Sequence, residues 1–246
     1  MRHPIAHRFT PRRPVARLAV AAGALVLALA ALAPGIRAFA GEHAVEIPPL
    51  KQPSDAPAGD DPGTAVLAGG CFWGMEMVFQ HVKGVTDVVS GYAGGSRDTA
   101  QYEIVSSGTT GHAESVKITY DPSRVTYAQL LRIYFSVAHD PTQLNRQGPD
   151  VGKQYRSDIF YANAWQKREA EAYIAQLKEA HVFEEPIVTR VDALDGFYPA
   201  EAYHQNFGYR HPNYPYIVIN DAPKVKRLQK TFPALYRDKP VIVATR

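Results

Sequence analysis

Ala68-Gly69-Gly70-Cys71-Phe72-Trp73-Gly74 joins two stretches of different periodicity and carries the only cysteine among 246 residues. Upstream, Ala65-Val66-Leu67-Ala68 is a short apolar run that reads as a buried strand. Downstream, Met75, Val78, Phe79 and Val82 recur at helical spacing, so a helix opens at Cys71 or Phe72. The two glycines let the backbone turn sharply between them. A thiol at that junction faces unpaired amide N–H groups and the positive helix end, which is expected to lower its pKa and favour the thiolate. The competing reading makes Cys71 a small buried hydrophobe on one helical face with Met75 and Val78. The Gly-Gly turn and the two large aromatics directly after the thiol weigh against it.

Outward from this junction, composition narrows the function classes. Hydrophobic content of 46% is ordinary for a globular protein, and 14 tyrosines with 10 phenylalanines supply core and pocket material. The net charge of +3 misleads, because residues 1–40 hold six arginines and no acid. Subtracting those six from 27 basic residues leaves 21 against 24 acidic ones, a net of −3. Nucleic-acid binding therefore has no electrostatic support. One cysteine forbids an internal disulfide and a cysteine-rich zinc site.

The first 17 residues are basic, Leu18 to Ala33 are apolar, and Ala38-Phe39-Ala40 is a small-x-small site. That pattern predicts a secretory signal over 1–40, cleaved after Ala40, and export from a bacterial cytoplasm to the periplasm. The alternative is an uncleaved membrane anchor, opposed by an apolar run shorter than the ~20 residues a span needs. Arg12-Arg13 resembles a twin-arginine signal weakly, since Pro14 follows. Residues 41–63 hold five prolines and Asp55, Asp60 and Asp61, and read as a flexible tether. The compact domain is expected over 64–246.

Within that domain, Val85 to Val89 reads as a strand running into Gly91-Tyr92-Ala93-Gly94-Gly95. Glu114, Val116, Ile118 and Tyr120 alternate with polar residues, the period of a half-buried strand. On that parity Glu114 shares the apolar side, where burial raises a carboxyl pKa and suits it to general-acid work; the pattern equally admits an exposed glutamate at the strand end. Thr126 and Gln129 form a capping box ahead of Leu130, Leu131, Tyr134, Phe135 and Ala138. Residues 139–156 are a long polar loop of the kind that carries function. Asp158 to Tyr161 and Pro186 to Val191 read as strands. Between them lies a helix from Trp165 to Ala180, with Trp165, Tyr173, Leu177 and Ala180 inward and Glu169 among the outward residues. An irregular aromatic stretch follows, then a last helix from Pro223 to Thr231. The order β-α-β, β-α-β predicts an α+β fold, a two-layer sandwich with helices on one side of a sheet.

Gly70-Cys71-Phe72-Trp73-Gly74 with Glu76 resembles the signature of the A-type peptide methionine sulfoxide reductases. The resemblance continues through Gly91 to Gly95, Gly111-His112-Ala113-Glu114, His139-Asp140-Pro141-Thr142, Gln147-Gly148-Pro149-Asp150, Gln154-Tyr155-Arg156-Ser157 and Ala200 to Gln205. These blocks run in family order over roughly residues 64–220. The resemblance implies a ferredoxin-like core and thiol-dependent reduction of the S epimer of methionine sulfoxide, free or in oxidised proteins. It implies Cys71 as nucleophile, passing through a sulfenic acid, and Glu114 as proton donor. It further implies Tyr102 and Tyr155 as hydrogen-bond donors to the sulfoxide oxygen, Asp150 as an ordering acid, and Phe72 and Trp73 as the apolar wall for the substrate methyl. No bound cofactor or metal is implied, only an external reductant.

Many members carry further cysteines that resolve the sulfenic acid, and this chain has none. A thioredoxin-like protein or small thiol is therefore expected to reduce Cys71 directly. Two rivals remain: a cysteine hydrolase using His112, His139 or His204, and a non-catalytic exported binding module. Glu201-x-x-His204 has the spacing of a di-iron half-site, but its required second pair is missing from the sequence.

Overall fold

The computed structural model describes residues 45–54 and 63–242. All of them belong to the second of two compact units, 39–246. The predicted signal, and the tether outside 45–54 and Gly63, lie outside the described residues.

The chain forms, in order, β1 (Gly63–Gly69), α1 (Phe72–Gln80), β2 (Val85–Ala93), α2 (Tyr102–Val105), β3 (Ala113–Tyr120) and α3 (Tyr127–Ile133). It continues with β4 (Arg146–Gln147), β5 (Asp150–Val151), β6 (Ser157–Tyr161), α4 (Ala164–Glu179), β7 (Arg190–Ala193) and β8 (Phe197–Pro199). Last come α5 (Phe207–Arg210) and α6 (Ala222–Thr231). The main sheet runs β7-β6-β1-β3-β2-β8, and β4 pairs with β5 in a separate ribbon. Every neighbouring pair in the main sheet is antiparallel except β6 and β7. In β1-α1-β2 and β3-α3-β6 each pair of linked strands is split by one strand from the other unit. That interleaving is the ferredoxin-like core, with β7 added through the α4 crossover and β8 added on β2.

The main core lies between the sheet and one layer of helices. Leu67, Val116 and Ile118 from the strands meet Phe79 of α1, Leu130 and Leu131 of α3, and Tyr173 and Leu177 of α4. On the opposite face Val66, Ala68, Ala93, Ala113 and Phe160 form a smaller cluster, covered partly by Leu194 and Phe197. With both faces covered, β1 is apolar without alternation. Thr126 Oγ1 accepts from the Gln129 N–H and Gln129 Oε1 from the Thr126 N–H, so the capping box starts α3.

The structure departs from the sequence reading in four places. Residues 45–54 do not hang free: Ile47 and Leu50 are buried in the core. This arm is bonded along its length: Arg132 Nε donates to the Ile47 carbonyl, Tyr173 O–H to that of Pro48 and Gln176 Nε2 to that of Pro49. Prolines hold the arm extended and leave its carbonyls open to side-chain donors. The arm also explains Glu169, which is buried rather than outward because it accepts from the Ser54 N–H and O–H. Ala180, expected inward, is exposed beyond the end of α4. The strand expected at Pro186–Val191 forms at Arg190–Ala193, where it meets β6 in register from Asp158 to Tyr161.

Candidate active site

Cys71 sits where β1 hands over to α1. Gly70 takes φ +89°, and a Cβ there would lie 2.5 Å from Cβ of Gln147, so only glycine makes this turn. Cys71 occupies the N-cap position of α1 and is 8% exposed. The first free amide of that helix, Phe72 N–H, donates to Glu114 Oε2 at 3.0 Å. Glu114 comes from β3 and is 3% exposed, on the inward of the two placements that the strand pattern admits. Burial, with Asp150 and Asp221 adding, drives its pKa up to about 8 against the pull of the Phe72 amide.

The expected thiolate at the helix mouth is not the resting form. Burial above all, then the carboxyls of Glu114 and Asp221, push the Cys71 pKa well above the ordinary thiol value, and the Trp73 backbone N–H opposes them only in part. The helix end that would favour ionisation is occupied, because Phe72 N–H is given to Glu114. Thiol and carboxylic acid thus rest side by side, both uncharged.

The other predicted residues gather at the same place. Tyr102 opens α2, and its pKa is raised to about 12 by burial and by the nearby Glu114 and Cys71. Tyr155 closes the turn Lys153–Tyr155 and is pushed up by burial and by Glu114, Asp150, Cys71 and Tyr102. Asp150, on β5, accepts a short hydrogen bond from the Tyr216 phenol, and burial raises its pKa. Trp73 is half-buried and stacks on Phe207 at 3.8 Å and 8°. Phe72 is placed differently from an open wall: it is 1% exposed and packs against the rings of Tyr92 and His204.

A cleft of about 630 Å³ reaches Cys71 and is lined also by Gln147, Asp150, Tyr216, Ile219 and Lys224. Tyr216, Asp221 and Lys224 were not singled out from the sequence. They come from the short helical turn Ile217–Asp221 with its cap at Tyr216, which the sequence reads as irregular, and from the start of α6. Glu201 and His204 do not assemble a metal site: among the described residues no group of three or more His, Cys, Asp or Glu could hold one.

Known proteins share this arrangement. The peptide methionine sulfoxide reductase family model matches residues 63–235, from the first residue of β1 to beyond α6. Peptide methionine sulfoxide reductase MsrA 2 of Mesorhizobium japonicum is 63% identical over 180 residues, 73% of this chain and 92% of the relative. The protein of the same name from Synechocystis is 54% identical over 168 residues, 68% of this chain and 78% of its own. Among solved structures, methionine sulfoxide reductase A of Corynebacterium diphtheriae superposes with a TM-score of 0.54 at 32% identity, covering 70% of this chain and 86% of that one. Since the match takes in the cysteine turn, the glutamate strand and the ferredoxin-like sheet that joins them, the chain belongs to the peptide methionine sulfoxide reductase family.

Proposed function

We propose that this protein reduces the S epimer of methionine sulfoxide, free or within oxidised proteins, to methionine at the expense of external thiols, and so repairs oxidative damage. The observation that carries the reading is the single cysteine at one helix start, where the first amide donates to the buried carboxyl of Glu114, whose protonated form burial favours.

Cys71 Sγ attacks the sulfoxide sulfur as Glu114 delivers its proton to the sulfoxide oxygen. The S–O bond of the substrate breaks, the oxygen passes to Cys71 as a sulfenic acid, and the thioether leaves. The proton originally on the thiol ends on Glu114, so charge balances; the substrate sulfur gains the two electrons that Cys71 loses. Tyr102 and Tyr155 keep their protons throughout the physiological range, as hydrogen-bond donors to a developing oxyanion must. Asp150 with Tyr216 orders the far side, and Trp73 takes the methyl group. Exchanging oxygen and methyl would leave phenols facing carbon, which is the basis of epimer choice.

With no second cysteine, one external thiol displaces the sulfenic hydroxyl as water to form a mixed disulfide on Cys71, and a second releases it. The reductant is a thioredoxin-like protein or small thiol, and the place of action is the periplasm, reached through the segment 1–40. The hydrolase alternative is disfavoured because none of its three histidines hydrogen-bonds Cys71 and each has another partner. Nε2 of His112 meets the Ser96 carbonyl, His139 lies between the Tyr134 carbonyl and Ser157 Oγ, and His204 meets Trp73.

The test is reduction of the two separated epimers of a blocked methionine sulfoxide with excess dithiol. Wild type should reduce only the S form, Cys71→Ser neither, and dimedone should trap the sulfenic acid after one equivalent. Turnover by Cys71→Ser, or none by wild type, sinks the reading.

A further inference from the structure

Glu201-x-x-His204 remains without a role once a metal site is set aside, yet the two side chains bond to Tyr102 and to Trp73, both given roles in the reaction above. The segment carrying them is rooted twice. Gln205 exchanges hydrogen bonds with both backbone groups of Ser90 on β2. The Asn206 N–H donates to buried Glu76 of α1 at 3.0 Å, and Gln80 Nε2 donates to Asn206 Oδ1. From this base Glu201 Oε1 accepts the Tyr102 backbone N–H at 2.9 Å, and its Oε2 accepts the Tyr92 phenol at 2.8 Å. Those bonds hold the Glu201 pKa below the ordinary carboxyl value against the opposing effect of burial. Three residues on, His204 Nδ1 accepts the Trp73 indole N–H at 3.2 Å. Its ring also packs against Tyr102 at 4.4 Å and Phe72 at 5.0 Å between centroids. An acceptor at Nδ1 requires the neutral ring protonated at Nε2. Burial, which leaves His204 2% exposed and holds its pKa down to about 4, maintains that form.

We propose that Glu201 and His204 are paired positioning residues, Glu201 fixing the phenol-bearing start of α2 at the oxygen end of the pocket and His204 fixing the Trp73 indole at its methyl end. The proposal rests on the roles given above to Tyr102 and Trp73. The i, i+3 spacing serves it physically, because the turn closed by His204 N–H on the Glu201 carbonyl brings the two residues together while one bonds the Tyr102 amide and the other the Trp73 indole. The two ends act at different stages. A methyl contact is made already on binding, whereas oxyanion donors act as charge develops, so damage at each end reads out in a different constant.

Single-turnover kinetics without reductant, using an S-configured blocked methionine sulfoxide, separate them. Glu201→Gln replaces one of two acceptors by a donor; its maximal rate should fall about tenfold or more, with half-saturation within about threefold of wild type. His204→Phe keeps the ring but removes the acceptor. Half-saturation should rise about tenfold with little change in maximal rate, and the Trp73 emission should shift. His204→Asn, whose Oδ1 occupies the place of Nδ1, should recover most of the loss. If His204→Phe does not fold, His204→Gln, with its amide displaced by one bond, stands in and should show the raised half-saturation. The idea is overturned if His204→Phe binds like wild type, if Asn is no better than Phe, or if Glu201→Gln raises half-saturation as much as it lowers rate. An inactive wild type would instead overturn the catalytic reading itself.

Discussion

Glu114→Gln isolates one proton. The amide oxygen can still accept from Phe72 N–H, 3.0 Å from the present carboxylate oxygen, and the volume of the side chain is conserved. What is lost is the acid. With its pKa at about 8 instead of 4.5, Glu114 holds its proton in about nine of ten molecules one unit below that pKa. General-acid assistance is worth about 10²–10⁴ in rate, or about 3–5.5 kcal/mol of barrier. The assay is a single turnover with excess S-sulfoxide and no reductant. The variant should still form one methionine per enzyme, but 10²- to 10⁴-fold more slowly by the same general-acid range. A loss smaller than about tenfold would mean that another donor protonates the oxygen and that the argument from burial is wrong. Stability gives an independent reading. A folded pKa above the unfolded one means the folded state keeps a proton that the unfolded state releases. Stability is therefore full below about 4.5 and declines as pH rises toward about 8. Denaturation midpoints of wild type should fall across that window. The variant should lose the share due to Glu114 and keep that of Glu76, which titrates at about 8 for the same reason of burial.

Three further outcomes follow from the geometry. Alkylation of Cys71 by iodoacetamide should be slow near neutrality and still climbing at about pH 9, since burial and two carboxyls hold the thiol protonated; a plateau below about pH 8 would contradict this. Gly70→Ala should destabilise by about 2–5 kcal/mol, the left-handed backbone costing about 1–2 and the collision with Gln147 the rest, measured by urea denaturation. Ile47→Ala removes a side chain only 1% exposed, so a core cost of about 2–5 kcal/mol sets the scale. The arm can instead peel away, so the measured loss should equal that caused by deleting residues 45–54 if the arm's grip is the weaker of the two.

The core of the fold was legible because its signals are local. The apolar run before Gly69-Gly70, the alternation through Glu114 to Tyr120 and the Thr126–Gln129 box each name an element by its own residues; their order predicts an α+β sandwich, while the interleaving of the sheet was implied by the family resemblance. Strand parity left Glu114 either inward or exposed at the strand end, and the family resemblance decided for the inward side that the structure shows. What escaped depends on partners distant in sequence. The arm looks like a tether until Tyr173, Gln176 and Glu169 are seen across from it. Tyr216 is one tyrosine of 14 until it meets Asp150. The state of the thiol failed for the same reason: helix position is read from the chain, whereas the carboxyls of Glu114 and Asp221 arrive from β3 and the far carboxy-terminal stretch.

A resting sulfur without charge has a consequence for survival. Peroxides, which make methionine sulfoxide in the first place, react with ionised sulfur and largely ignore the neutral form. With burial holding its proton, the resting Cys71 is expected to be a poor target for the oxidant that creates its work.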